Sequence, residues 1–270
     1  MGRLREKGVL VYPVYSRRSG GLSVGINLFP DRKHCSFDCP YCEVFPFSTD
    51  AAFSLEQMER DLRAVLDSAK ERSEIVKDIC FSGSGEPSLS PRFPGALKLA
   101  ARVRDEAVPS AALVIITNGM GLLEQGTFSL LREAAAFLDV WLKLDAGTPA
   151  WYQKINAGAI PHDKLTAKIK EFAALAPVTI QTMLCAVDGE KPPQDEERAW
   201  EKLVLELAAT NGTVRKVQIY GKARPSPSDP KATPLPVEYL ERRAASLRQA
   251  LGSIAGERRP AAIPPVKVYP

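Results

Sequence analysis

Histidine is nearly absent from this chain: only His34 and His162 occur in 270 residues. A closed zinc site commonly uses two C-x2-C pairs or a C-x2-C with an H-x3-H, and neither complement is present. Cysteine is scarce and its count of five is odd. With no signal-like leader in view, that count argues against a disulfide framework and leads us to expect a cytoplasmic chain. No run of eighteen apolar residues appears, so nothing reads as a membrane span. Charge of one sign is also missing in quantity. A net +4 permits an anionic ligand but lacks the dense basic stripe usual in nucleic-acid binders. Repeats and low-complexity segments are absent. What remains, 45% hydrophobic, can bury one sizeable core, and a single domain over 1–270 is expected, with an extended Pro-rich tail at about 256–270.

Against this sparse background, Cys35-Ser36-Phe37-Asp38-Cys39-Pro40-Tyr41-Cys42 gathers three of the five cysteines in one C-x3-C-x2-C loop. Thiolates so spaced can converge on one metal centre. Three of them satisfy three irons of a four-iron cluster and leave the fourth iron open to a ligand. Zinc and inert thiols are the alternatives that spacing alone leaves. A second feature is the apolar run 75–81, which leads directly into Ser82-Gly83-Ser84-Gly85-Glu86-Pro87. A buried strand ending in a small-residue turn exposes backbone amides and carbonyls to close approach, and Glu86 adds a carboxylate at the same end.

Strand-like and helix-like patterns alternate along the chain. Strands are expected at 23–28, 75–81, 112–117, 139–144, 178–184 and 215–220. Helices are expected at 54–72, 95–105, 127–137, 162–175, 194–211 and 237–251, the first opened by a capping box of Ser54 and Gln57. This alternation implies βαβ units around a parallel sheet, and six units suit an α/β partial (β/α)6 barrel better than a closed eightfold one. The Pro-rich stretch 225–236 reads as a surface connection. Ligands in such folds collect at the carboxyl ends of the strands. There the sequence puts the cysteine loop, the Ser84–Glu86 turn, Thr117 and Asn118, and Lys143 and Asp145. Gln181 and Gln218-Ile219-Tyr220 lie along the last two strands. Polar residues inside apolar strands cost free energy unless partnered, which points to a polar barrel interior. Cys80, Met183 and Cys185 read as buried core.

These motifs resemble those of the radical S-adenosylmethionine (radical SAM) superfamily. Its C-x3-C-x-aromatic-C signature is matched by Cys35, Cys39, Tyr41 and Cys42, and its G-G-E-P-like turn by Ser84-Gly85-Glu86-Pro87, with serine for the first glycine. The resemblance implies a 4Fe-4S cluster on Cys35, Cys39 and Cys42, with SAM on the open iron. It also implies an electron from a reductant such as flavodoxin or ferredoxin, cleavage to a 5′-deoxyadenosyl radical, and hydrogen abstraction from a substrate. By the same resemblance Tyr41 supports the adenine, and Ser84, Gly85 and Glu86 hold the methionine amino group. Lys143 pairs with the methionine carboxylate, Thr117 and Asn118 lie by the ribose, and Gln181 lines the cofactor site. Asp145 and Tyr220 become catalytic candidates by position. Arg17, Arg18 and Arg224 become candidates to meet an anionic substrate.

A narrower similarity runs to iron–sulfur oxidoreductases related to wyosine tRNA synthases, through Tyr15-Ser16-Arg17-Arg18, Leu142-Lys143-Leu144-Asp145 and Val217-Gln218-x-Tyr220. Those synthases carry a second cluster on extra cysteines, and residues 1–34 hold none. Three classes are therefore weighed. The first is a radical SAM enzyme for a small anionic molecule or a peptide, glycyl-radical activases included. The second is a tRNA-modifying enzyme, disfavoured by the missing second cluster. The third is a non-catalytic metal-binding protein.

Overall fold

The structure, a computed structural model, describes residues 7–209, 214–255 and 263–270. Two strands, β1 (Val11–Ser16) and β2 (Gly21–Ile26), form an antiparallel hairpin that opens the sheet. From β2 the sheet runs parallel through β3 (Val76–Phe81), β4 (Ala112–Thr117), β5 (Leu138–Lys143), β6 (Val178–Val187) and β7 (Val214–Gly221). A short β8 (Ala232–Pro234) adds antiparallel to β6, and β9 (Val266–Tyr269) adds parallel to β7. The sheet curls into an open half-barrel with β1 at one edge and β9 at the other, and its core of six parallel strands is the expected partial barrel.

Helices α1 (Leu55–Glu71), α2 (Phe93–Ala107), α3 (Gln125–Ala134), α4 (Pro149–Ile155), α5 (His162–Ala173), α6 (Gln194–Ala209) and α7 (Val237–Ala255) connect the strands. Their apolar stripes and alternate strand residues build one large core that includes Leu62, Leu97, Phe172, Ile180, Val204 and Leu247. The other strand face looks into the barrel. A small apolar cluster sits there, Cys80, Val114 and Trp141 with Ile116 against it, alongside buried polar residues such as Thr179, Gln181 and Gln218. No described helix is long and apolar enough to cross a membrane.

Several sequence expectations need amending. The capping box forms by half: Ser54 Oγ accepts from the Gln57 amide, but the Gln57 side chain turns to Asp61 and Arg60. The expected end of α6 at Asn211 falls outside the described residues. Strand β1 was not expected, because Pro13 interrupts it; as an edge strand it tolerates the missing N–H. The tail is not merely an extension over the surface, since Val266–Tyr269 enter the sheet beside β7. Helix α4 is short, but Thr148 caps it and Pro149 takes its first turn, as N-terminal rules favour.

Candidate active site

The cysteine loop follows β2, and specific polar contacts hold it in place. Buried Asn27, one residue past the strand, accepts at Oδ1 from the amides of Phe29 (3.1 Å) and Ser84 (3.0 Å). Further along, the His34 amide donates to Ser84 O at 2.8 Å and the His34 carbonyl accepts from the Glu86 amide at 2.9 Å. That two-bond bridge hooks the loop onto the turn after β3. A Cβ on Gly85 would lie 1.9 Å from His34 O, so the close approach requires glycine there. On the far side Asp38 N donates to Asn156 O (3.0 Å), and buried Ser226 donates to Pro40 O (2.7 Å).

Two of the thiols meet side-chain amides. Asn118 Nδ2 points at Cys35 Sγ (3.7 Å), and Asn156 Nδ2 at Cys39 Sγ (3.5 Å). Burial pushes the Cys35 thiol up to about 11 and the Cys39 thiol up to about 12. Cys80 and Cys185 are buried in strands β3 and β6, as expected of core thiols. No three His, Cys, Asp or Glu side chains among the described residues gather tightly around one ion. A cubane makes a looser demand, taking one thiolate on each of three separate irons.

Glu86 is 3% exposed, and its carboxylate is taken up by protein donors. Oε1 accepts from Ser88 N (3.0 Å), Ser88 Oγ (2.6 Å) and Thr117 Oγ1 (2.7 Å), and Oε2 from Asn118 N (2.6 Å). Burial raises its pKa against those donors, which pull it down. Glu86 thus bolts the end of β3 to the end of β4. Thr117 is spent on the same bolt, while Asn118 keeps its side chain for Cys35, Ser36 and the Met120 amide.

A second buried network lies across the barrel. Asp145, whose side chain is fully buried, accepts from Tyr41 Oη, from Asn156 Nδ2 (2.8 Å) and from Met183 N (2.8 Å). Lys143 Nζ stands 3.4 Å from Asp145 Oδ2, donates to Tyr220 Oη, and faces the rings of Tyr41 (4.9 Å) and Tyr220 (5.2 Å). Burial disfavours its charge, but the Asp145 carboxylate and Tyr220 outweigh that and hold its pKa above the usual lysine value. Burial and Asp145 likewise raise Tyr41, and burial raises Tyr220. Lys143, Asp145, Tyr41 and Tyr220 therefore meet in one place, as a closed charge network.

Arg17 and Arg18 occupy the hairpin turn between β1 and β2, just ahead of the first parallel strand. Arg18 reaches into the barrel, donates to Gln181 Oε1 (3.0 Å) and lies over the Tyr220 ring at 4.7 Å. Arg17 stays outside, and burial, then the charges of Arg224 and Arg18, lower its pKa. Arg224 pairs with Glu43 at 2.8 Å. A cavity of about 700 Å³ lies apart from all these residues, lined by Trp151, Lys154, Ala186, Glu190 and Leu235 among others. Asn27, His34 and Asn156, which fix the loop, were missed. Only the polar residue one step past β2 offered any signal, and it is a weak one.

Residues 32–198 match the family model described as Radical SAM superfamily, and these are more than half of the chain. The chain belongs to the radical SAM superfamily. This radical SAM chain is 27% identical over 174 residues to a UPF0026 protein of Helicobacter pylori, covering 62% of this chain and 51% of that relative. It spans about half the length of the curated relatives it matches. Its fold is similar to a radical SAM methyltransferase from Sphaerobacter thermophilus (TM-score 0.64, 15% identity, 96% of this chain and 68% of that one). It is also similar to Streptococcus suis SuiB bound to S-adenosylmethionine (0.63, 14%, 88% and 49%) and to TYW1 with a lysine-pyruvate adduct (0.54, 14%, 84% and 73%). The chain is an enzyme of this superfamily, whose cofactors are a 4Fe-4S cluster and SAM. Its residues fit them: three thiols on one loop, hooked onto the Ser84–Glu86 turn by the close approach that Gly85 allows.

Proposed function

We propose that this radical SAM enzyme acts on an anionic small molecule or on a peptide carrying a carboxylate, with Cys35, Cys39 and Cys42 holding the cluster. The observation that carries the reading is the His34 bridge, which brings the cysteine loop and the Ser84–Glu86 turn to the same strand ends. Cys35, Cys39 and Cys42 would hold the cluster, which, given an electron from an external donor, would supply with SAM the radical chemistry that takes a hydrogen atom from the substrate. The protein's own residues bind and orient. Ser84 and Gly85 present backbone to the methionine amino group, while Glu86, being saturated, supports that turn from beneath. Lys143 is the cation at hand for the methionine carboxylate, and Tyr41 closes the adenine side. Asp145 holds Lys143 charged and in place, so it is a positioning residue. Tyr220, Arg18 and, at the rim, Arg17 and Arg224 face the substrate side.

Two structural neighbours support the peptide branch by their bound ligands, since SuiB has been crystallised with precursor peptide SuiA and anSMEcpe with a Kp18Cys peptide. The tRNA reading has the fold likeness to TYW1 and the narrower motif similarity behind it, and the missing second cluster against it. Anaerobic reconstitution tests the proposal. About four iron and four sulfide per chain are expected, as for one cubane. Dithionite with SAM should then release 5′-deoxyadenosine. Cys39→Ala should abolish both, whereas Cys80→Ala and Cys185→Ala should keep the iron. Stoichiometric zinc without iron would overturn the reading.

A further inference from the structure

Four buried side-chain polar atoms lack a hydrogen-bond partner among the described residues, and three of them line the barrel interior: Trp141 Nε1, Thr179 Oγ1 and Gln218 Nε2. They are neighbours in the sheet. Trp141 on β5 pairs with Thr179 on β6, Thr179 with Lys216 on β7, and Gln181 with Gln218. Alternation puts Lys143, Gln181 and Tyr220 on the same face. Trp141 is 4%, Thr179 1% and Gln218 0% exposed, so bulk water does not reach them. Unpartnered buried polar atoms are rare in folded proteins, and three together call for an explanation.

The orientation of this group is dictated from one end. A guanidinium can only donate, so the Arg18 contact forces Gln181 to turn its oxygen toward Arg18. Gln181 must then present its NH2 to Gln218, which accepts at Oε1 at 2.7 Å. Gln218 is left with a buried NH2 and nothing to receive it. The indole N–H of Trp141 is also donor-only. The interior is thus short of acceptors. Its charges are Arg18, Lys216, which lies 5.5 Å over the Trp141 ring, and Asp78, which accepts from Ser23. Nearby Asp139 is taken by Arg215 at 2.7 Å, and Lys143 by Asp145. With Lys267, which pairs with Gln218 across β7 and β9, the unmatched balance is positive.

We propose that this interior patch seats a carboxylate of the substrate, held by the Arg18 guanidinium and the Gln218 NH2, beneath the Lys143–Tyr220 layer. The inference rests on the radical SAM reading and sharpens it: the group that selects the anion is inside the barrel, not at the Arg17–Arg224 rim. The positive balance suits an anion, and shape favours carboxylate over phosphate. The two planar oxygens of a carboxylate match an arginine fork and an adjacent amide.

The test uses anaerobically reconstituted holoprotein with SAM, labelled with 15N at the indoles and glutamine amides. Acetate, acetamide and inorganic phosphate are titrated separately. Acetate should shift the Trp141 indole and Gln218 amide resonances saturably, and acetamide should bind at least about tenfold more weakly, the worth of a charge-assisted hydrogen bond. Arg18→Ala should weaken acetate by about tenfold or more. Gln218→Glu keeps the acceptor Gln181 needs but puts an anion where the donor was. It should fold with an unchanged melting temperature, within a few degrees, and lose acetate binding. Arg102→Ala, on the exposed face of α2, should leave acetate binding unchanged. Iron and SAM content are measured on the same samples. A protein that binds neither would overturn the radical SAM reading and this proposal with it. A protein that binds both but shows no saturable acetate shift, an acetate affinity indifferent to Arg18→Ala and Gln218→Glu, or a preference for phosphate would overturn the proposal alone.

Discussion

The two halves of the barrel treat their polar groups in opposite ways. On the β2–β4 side every valence of the Glu86 carboxylate is matched by a neighbour: four donors arrive from Ser88, Thr117 and Asn118. On the β5–β7 side Trp141, Thr179 and Gln218 keep polar atoms that no partner among the described residues satisfies. A saturated carboxylate rigidifies; it has no hydrogen-bonding capacity left to offer a ligand without giving something up. Unmatched donors do the reverse, because they lose free energy in the fold and recover it only when a ligand arrives. The first half therefore reads as the frame for the cofactor loop and the second as the place where substrate is distinguished.

The contrast can be broken most directly at Glu86. Replacing it by alanine strands four donors in the interior, and the chain should lose at least about 3 kcal/mol in a urea titration. Glu56→Ala, on the exposed first turn of α1, should stay within about 0.5 kcal/mol. Similar losses in the two would mean that the turn bears no special burden. Gly85→Ala comes next, at about 1–3 kcal/mol from overpacking. Its distinctive outcome is a fall in reconstituted iron with the sheet intact by circular dichroism, since the new Cβ pushes His34 and its loop away.

A smaller effect is expected from acid. Burial lowers the His162 pKa, and its ring bonds Ala146 O at 3.1 Å. The neutral ring is thus the folded form. Its contribution is fully present above the unfolded histidine pKa near 6.5 and is lost as pH falls through the lower folded value. Melting temperature measured from pH 7 downward should decline less steeply in His162→Gln than in the wild type. Smallest of all, Thr179→Val removes a hydroxyl that has no partner, and stability should change by no more than about 0.5 kcal/mol or rise slightly. A large loss there would mean that the hydroxyl is satisfied after all, and would blur the difference between the two halves.

Much of this arrangement could be read from the sequence, for definite reasons. The central strands are largely buried on both faces and rich in Val, Ile and Leu, a signal that survives without any tertiary knowledge. The three thiols, the Ser84–Glu86 turn and the Lys143–Asp145 pair share short motifs, so their proximity was legible too. Partners distant in sequence were not. Nothing local says that Glu86 will be consumed by Thr117 and Asn118, or that Tyr220 will meet Lys143. The edge strands β1 and β9 were obscured by proline, which marks a loop in one context and a sheet edge in another. The reach of Arg18 into the barrel was not legible, because it depends on a hairpin that was not anticipated.

That reach carries a consequence for how the chain folds. Arg18 and Gln181 are 163 positions apart, yet they close the inside of the barrel with one hydrogen bond. The hairpin bearing Arg18 is local and can form early, on the microsecond scale of such elements. Its guanidinium must then wait until β3 through β6 have assembled, because loop closure over so long a stretch is entropically late. The wiring of the interior is thus the last stage of folding, and Arg18→Ala should speed unfolding while leaving the refolding rate nearly unchanged.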